Sequence, residues 1–228
     1  MSEERAHRTV RSFVRREGRL TPGQERALEE LWPLYGIDEA EGQIDLEQLF
    51  DRKAPIVFEI GFGNGSSLAE MAANQPEMNF IGVEVHRPGV GHLLKLIEEQ
   101  QLTNLRVACT DAVELLKHRI PDKSLDRLQL YFPDPWHKKR HHKRRIIQPA
   151  FVNLLAQKIK SAGHLHMATD WQHYAEQMLD DLSQNNDFIN CSDNSDYIPR
   201  PDYRPLTKFE QRGQRLGHGV WDLLFERR

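Results

Sequence analysis

From Pro55 onward, short apolar runs alternate with segments of helical spacing, and few folds accommodate that alternation. "PIVFEIGFG" reads as a strand running into glycines, and "SSLAEMAANQ" as a helix with Leu68, Met71 and Ala72 on one face. "NFIGVEV", "LRVACTD", "LDRLQLYF" and "GHLHMATD" read as further strands. Between and after them come the helical stretches "GVGHLLKLIEEQ", "AVELLKHRI", "RRIIQPAFVNLLAQKIK" (interrupted by Pro149 or begun near it) and "WQHYAEQMLDDLSQN". Two more strands, "FINCSDN" and "HGVWDLLFER", follow, separated by a long loop with Pro199, Pro201 and Pro205. Five strand–helix units and two closing strands predict an α/β doubly wound sheet of seven strands with a hairpin-like, antiparallel finish.

The rest of the chain sets the frame. With 228 residues, 39% of them hydrophobic, one domain with a sizeable core is expected over residues 21–228. Residues 1–20 carry six arginines (Arg5, Arg8, Arg11, Arg15, Arg16, Arg19) and few apolar groups, which predicts a flexible arm. Thr21-Pro22 is a helix start, with Thr21 as the cap, and Pro33 ends that helix early. No apolar run is long enough to span a membrane, and the N-terminal stretch has no apolar core of a secretory signal. Cys109 and Cys191 form no C-x-x-C pair, so a reduced, cytoplasmic protein is expected. The sequence does not set an oligomeric state, and a monomer or weak homodimer is expected.

In open α/β sheets ligands bind beyond the carboxyl ends of the strands. Five of the predicted strand ends carry an acid: Glu59, Glu84, Asp111, Asp134 and Asp170. Gly61, Gly63 and Gly65 allow a ligand to approach the backbone where the first helix begins. A dinucleotide fingerprint would place glycine at 66, where Ser66 stands, and Glu59 would put negative charge beside phosphate oxygens. Both features count against a dinucleotide-dependent oxidoreductase. Glu59 suits a cationic or hydrogen-bond-donating group, Glu84 suits a pair of ribose hydroxyls, and Asp111 suits an exocyclic amine. A nucleoside without phosphate but with an amino-acid end meets all three demands, and S-adenosyl-L-methionine is such a molecule. For Asp111 and Asp170 helix capping alone stays open as the alternative.

"YFPDPWHKKRHHKRR" is the least ordinary stretch. Pro133 and Pro135 bracket Asp134, with Phe132 and Trp136 on either side. Lys138, Lys139, Arg140, Lys143, Arg144 and Arg145 carry six positive charges with no acid among them, so the remainder of a chain at −3 overall stands at −9. An ordinary solvated face mixes signs, whereas this concentration suits a polyanion. His137, His141 and His142 have a spacing that a metal could use, but no local thiolate or carboxylate joins them, and no metal is expected.

On "EIGFGNG", "GVEVH", "YFPDPWHKKRHHKRR", "ATDW" and "TKFE" the chain resembles the bacterial tRNA (guanine-N7-)-methyltransferases, from about Ala54 to the C-terminus. The resemblance implies a Rossmann-like class I methyltransferase domain with the last strand antiparallel. It implies transfer of a methyl group from S-adenosyl-L-methionine to N7 of a guanine in tRNA, at variable-loop position 46. Glu59, Glu84, Asp111 and Asp134, with the glycines, match cofactor-binding positions, and Asp134 is also the implied catalytic residue. Lys138, Asp170, Thr207, Lys208, Phe209 and Glu210 match substrate-binding positions. Arg140, His141, His142, Lys143, Arg144 and Arg145 match an RNA-contacting segment. A non-enzymatic RNA-binding protein is the other class considered, and the complete set of strand-end acids argues against it.

Overall fold

The structure, a computed structural model, describes residues 12–13, 18–207, 210–211 and 219–228. Its seven strands are β1 (Ile56–Ile60), β2 (Asn79–Val83), β3 (Leu105–Ala108), β4 (Leu125–Tyr131), β5 (Ile159–Thr169), β6 (Phe188–Asn190) and β7 (Trp221–Arg227). They form one sheet in the order β3-β2-β1-β4-β5-β7-β6. The pairings from β3 to β5 are parallel, and β7 runs antiparallel to both β5 and β6. The last strand is thus antiparallel and pairs with β6 as the hairpin-like finish expected, and it does so by inserting between β5 and β6.

The helices are α1 (Pro22–Glu30), α2 (Trp32–Tyr35), α3 (Leu46–Phe50), α4 (Ser66–Asn74), α5 (Arg87–Glu99), α6 (Ala112–His118), α7 (Pro149–Lys158) and α8 (Gln172–Ser183). Strand alternation sorts the core into two layers. Phe58 and Ile60 face the layer built with Leu115 and Leu116 of α6, Val152 and Leu155 of α7, and Met178 and Leu182 of α8. Val57 faces the layer built with Ala27 of α1, Leu68 and Met71 of α4, and Leu93, Leu94 and Ile97 of α5. Both faces of β1 and β2 are therefore covered, which is why these strands read as continuous apolar runs and not as alternating ones.

Local chemistry sets most boundaries. Thr21 and Gln24 exchange hydrogen bonds in a capping box, and Pro22 occupies the first turn of α1. Pro33 lies in the first turn of α2, so the break falls at Leu31, just before it. Helix α7 starts at Pro149 and stops at Lys158, because Ile159 already pairs with Leu125 as part of β5. Lys139–Arg144 form a short 3-10 helix of their own. α3, capped by Asp45 at two backbone amides, is too short to show a helical period in the sequence. Of the arm 1–20, residues 1–11 and 14–17 lie outside the described residues. Among the described residues no helix is long and apolar enough to cross a membrane.

Asn104 ties the β2–β3 edge together. Its buried amide nitrogen lies 2.9, 3.2 and 3.0 Å from the carbonyl oxygens of Ala72, Gln75 and Met78. Asn104→Ala leaves those buried acceptors short of donors, and urea denaturation should show a loss of about 2–3 kcal/mol. An unchanged denaturation midpoint would mean that water replaces the amide at no cost.

Candidate active site

The order of the strands creates the site. From β1 the chain passes through α4 to β2 on one side, and β4, on the other side of β1, continues through α7 to β5. Helices α4 and α5 pack on one face and α6, α7 and α8 on the other, so the connections part above the ends of β1 and β4. A crevice opens at such a switch point. Here it is a cavity of about 800 Å³ walled by Gly61, by Glu84 and His86, by Thr110 and Asp111, and by the chain from Leu130 to Lys138. Ser12 and Phe13, two described residues of the N-terminal arm, also line it.

Gly61, Gly63 and Gly65 all have positive φ, at 74°, 63° and 78°. This turn carries the backbone from β1 into α4 in a conformation that side chains disfavour. Gly63 N donates to Glu84 Oε2 at 3.0 Å, while Val85 N and His86 N donate to Glu84 Oε1 at 2.7 and 3.0 Å. Three backbone donors thus fix the Glu84 carboxylate and leave it about one further lone-pair site. Gly89 shields this arrangement from crowding, since a Cβ there would lie 2.0 Å from Gly63 O.

Asp111 does both things that its position allows. Its Oδ1 caps α6 by accepting from Val113 N at 2.9 Å, and the residue also lines the cavity. Glu59 is 3% exposed, beneath the glycine turn in β1. Its Oε2 is buried with no hydrogen-bond partner. Burial pushes its carboxyl up to about 8, with the nearby Arg127 acting in the other direction.

The turn after β4 is held in an unusual shape. Phe132 and Trp136 both have positive φ, at 50° and 46°, which non-glycine residues adopt only where their surroundings enforce it. Phe132 N donates to Ala168 O at 2.7 Å, and Arg145 Nε donates to Pro135 O at 2.8 Å. Arg144 stacks 4.2 Å over the Trp136 ring. Between these anchors Asp134 is exposed to two cavities at once. The second cavity, about 890 Å³, is walled by Phe132, Asp134, His137, Asp170, Trp171, Glu176 and Trp221. His137 and Trp171 meet edge to face with ring centres 4.2 Å apart. Asp170 does not cap α8, whose N-cap is Trp171. Asp170 lines this second cavity with Asp134 and Glu176.

The basic block divides into an outer and an inner part. Lys138, Lys139, Arg140 and Lys143 are exposed. Arg145 is 2% exposed, bonded to Pro135 O, to Gln177 Oε1 at 2.6 Å and to His173 Nδ1 at 3.2 Å. Arg145 therefore departs from the expectation of an RNA contact: its guanidinium is turned inside the protein, bracing the Asp134 turn. Loss of hydration, with Arg140 and Arg144 nearby, holds His141 below the ordinary histidine range. Loss of hydration and the neighbouring Arg145 do the same for His142, so the two rings add little positive charge at neutral pH. Among the described residues no three of His, Cys, Asp and Glu come together as a metal site requires.

Of the expected substrate segment, Lys208 and Phe209 lie outside the described residues. Thr207 Oγ1 accepts from Glu210 N at 3.0 Å, and Glu210 is 2% exposed in an ion pair with Arg204. Sequence reasoning missed Arg204, Trp171, Glu176 and Trp221 as parts of this region. Trp171 follows directly on Asp170 in "ATDW", which is the only local signal for it.

A family described as "Putative methyltransferase" matches residues 53–223. The tRNA (guanine-N(7)-)-methyltransferase of Aeromonas hydrophila is 64% identical over 220 residues, covering 96% of this chain and 93% of that protein. The protein of the same name from Yersinia enterocolitica is 60% identical over 224 residues, covering 98% and 94%. The fold resembles the 16S rRNA methyltransferase KamB, with TM-score 0.61 at 13% identity over 83% of this chain and 96% of that one. It also resembles TrmN from Thermus thermophilus, with TM-score 0.53 at 15% identity over 80% and 47%. The parallel sheet with its antiparallel last strand, the acid-lined crevice and these likenesses agree, and the chain belongs to this methyltransferase family.

Proposed function

We propose that the protein transfers a methyl group from S-adenosyl-L-methionine to N7 of a guanine in tRNA, the variable-loop guanine that the sequence resemblance implies. One observation carries the reading: Phe132, Pro133, Asp134, Pro135 and His137 form the shared wall of both cavities. A donor in the first cavity and a base in the second would meet at Asp134.

The residues present fit the donor. Glu59, Gly63 and Gly65 are not in the wall of the first cavity, but Glu59 Oε2 is a buried oxygen that lacks a partner, two residues before Gly61 of that wall, and an ammonium group is the kind of donor that would satisfy and ionise it. Glu84, fixed by its three backbone donors, would take a ribose hydroxyl, and Asp111 would take an amine with the oxygen that α6 does not use. When bound, S-adenosyl-L-methionine supplies a methyl group already activated by its sulfonium.

Guanine N7 carries a lone pair and no proton, so the protein needs no general base. Its work is orientation and charge stabilisation. Asp134 would accept from guanine N1–H and N2–H, with the contacting pair Trp171 and His137 beside the ring. Asp134, Asp170 and Glu176 make the second cavity acidic, which suits a purine that becomes cationic as it is methylated. The exposed Lys138, Lys139, Arg140 and Lys143 border the same loop and would hold phosphates, while the carboxylates behind them read the base. With tRNA as its substrate the protein would act in the cytoplasm.

The direct test incubates the protein with unmodified tRNA and labelled S-adenosyl-L-methionine and maps the methylated nucleotide. Label at guanine N7 supports the reading, and label on another base or none overturns it. Asp134→Asn replaces an acceptor oxygen with a donor facing guanine donors, and should lower kcat/KM roughly 100-fold or more without rescue at higher pH. Binding of tRNA, carried by phosphate contacts, should persist in a filter-binding assay. Near-wild-type methylation would leave Asp134 as a turn residue only.

Replacing Lys138, Lys139, Arg140 and Lys143 by Gln should raise KM for tRNA. For each phosphate that is no longer neutralised, the slope of log K against log salt should flatten by about 0.7–0.9. An unchanged salt slope would make the block a solvated face.

Glu59 predicts a pH dependence. In the free protein its carboxyl holds a proton up to about 8, against an ordinary value of 4.5. Folded protein binds the extra proton between these values, so stability falls as pH rises through the window and the loss is complete above it. Glu59→Gln should flatten this window, matching wild type in acid and melting several degrees higher at about pH 9. The same variant should bind S-adenosyl-L-methionine about tenfold more weakly or worse. Parallel melting curves across the whole pH range would remove the buried acid.

A further inference from the structure

A buried cluster of charge lies outside both cavities, over β4, β5 and β7. Arg204, 1% exposed, is gripped from two sides. Its Nε and Nη2 donate to Asp222 Oδ1 and Oδ2 at 2.7 and 2.8 Å. Its Nη1 and Nη2 donate to Glu210 Oε2 and Oε1 at 2.7 and 2.9 Å. Asp222 and Glu210 are themselves 3% and 2% exposed. His166 Nε2 lies 2.9 Å from Asp222 Oδ1, and its Nδ1 lies 2.8 and 3.0 Å from the hydroxyls of Tyr131 and Tyr203. Burial holds His166 below the ordinary range, so the ring is neutral, donates to Asp222 through Nε2 and accepts at Nδ1.

The cluster joins two pieces of chain that wall the second cavity to the segment of Thr207 and Glu210, which lies in neither cavity wall. Asp222 belongs to β7, next to Trp221 in the wall of the second cavity. Glu210 belongs with Thr207, whose hydroxyl accepts from its backbone N–H. The Arg204 guanidinium lies 5.8 Å from the Tyr131 ring centre and 5.6 Å from that of Phe132, and Phe132 walls both cavities. A planar, always-charged fork is the group that can satisfy two carboxylates at once in a dry setting. Breaking one arm would leave a buried charge without a partner.

The family resemblance puts Glu210 among substrate-touching positions, yet both of its oxygens are occupied by Arg204 and the residue is buried. We propose that Arg204, Glu210 and Asp222 form a clasp that fixes the Thr207-bearing segment against the Phe132–Asp134 turn, with Glu210 acting through Arg204 and not by contact with the base. These are positioning residues, and the proposal rests on the methyl-transfer reading of the site.

A double-variant cycle tests it. Wild type, Arg204→Lys, Glu210→Gln and the double variant are assayed for methyl transfer to unmodified tRNA, with donor Kd by calorimetry and Tm alongside. Each single variant should lose kcat roughly 10- to 100-fold with donor Kd within about twofold of wild type. The double variant should be no worse than the weaker single, because residues acting as one unit are not additive. Multiplied losses in the double variant would put Glu210 on the substrate and overturn the clasp. So would wild-type kcat in Glu210→Gln, or a loss of donor affinity that tracks a fall in Tm. Should Arg204→Lys fail to fold, Asp222→Asn takes its place in the same cycle. A wild type that methylates no tRNA guanine would defeat the reaction itself and the clasp's part in it, whereas an active wild type with additive variants would defeat the clasp alone.

Discussion

The position of β1 between β2 and β4 is the constraint on which the rest depends. A right-handed crossover is the connection that packs well between parallel strands, so chains leaving the two sides of a central strand must cover opposite faces. The crevice between them is the unavoidable remainder. It lies beyond the strand ends, and acids placed there can act on a ligand without disturbing the core. Glu84, Asp111 and Asp134 follow three different strands and come together for that reason alone.

Acidic and basic side chains near the turn after β4 fall on different surfaces. The carboxylates of Asp134, Asp170 and Glu176 line the second cavity, and the exposed Lys138, Lys139, Arg140 and Lys143 are not part of its wall. Mixed at one surface, these groups would neutralise each other. As it is, the second cavity presents acids and the loop after Trp136 presents cations. The turn holds two left-handed non-glycine residues, which cost on the order of 1–3 kcal/mol each. Arg145 on Pro135 O, Arg144 on the Trp136 ring and the backbone bond from Phe132 to Ala168 offset that strain.

The face of the sheet over β4, β5 and β7 is built differently from the rest. Where α4 and α5 cover β1 and β2 with apolar side chains, the residues over β4 and β5 include Gln129, Tyr131, His166 and Arg204. Their hydrogen bonds run continuously from Gln129 through Tyr131, His166 and Asp222 to Arg204 and Glu210. Such a network tolerates little displacement, because any member that moves leaves another unsatisfied in a low dielectric. That network sits directly behind Phe132 and Trp221, which line the second cavity.

The sequence by itself determined the fold class, because hydrophobic period is a local property that survives without knowledge of contacts. It also marked the strand-end acids, the glycine turn and the basic block, since each is a run of neighbouring residues with a distinct chemistry. Tertiary structure alone decided which members of those runs face the site. Arg144 and Arg145 read as two more cations of the block, yet packing turns one onto Trp136 and sends the other into the protein to brace Pro135. Glu210 reads, by resemblance, as a substrate residue of "TKFE", yet it pairs with Arg204, six residues earlier in the chain, and through it with Asp222 on the inserted last strand. Burial and pairing are set by what lies across the sheet, where β7 stands between β5 and β6, and neighbours of that kind are not neighbours in the chain.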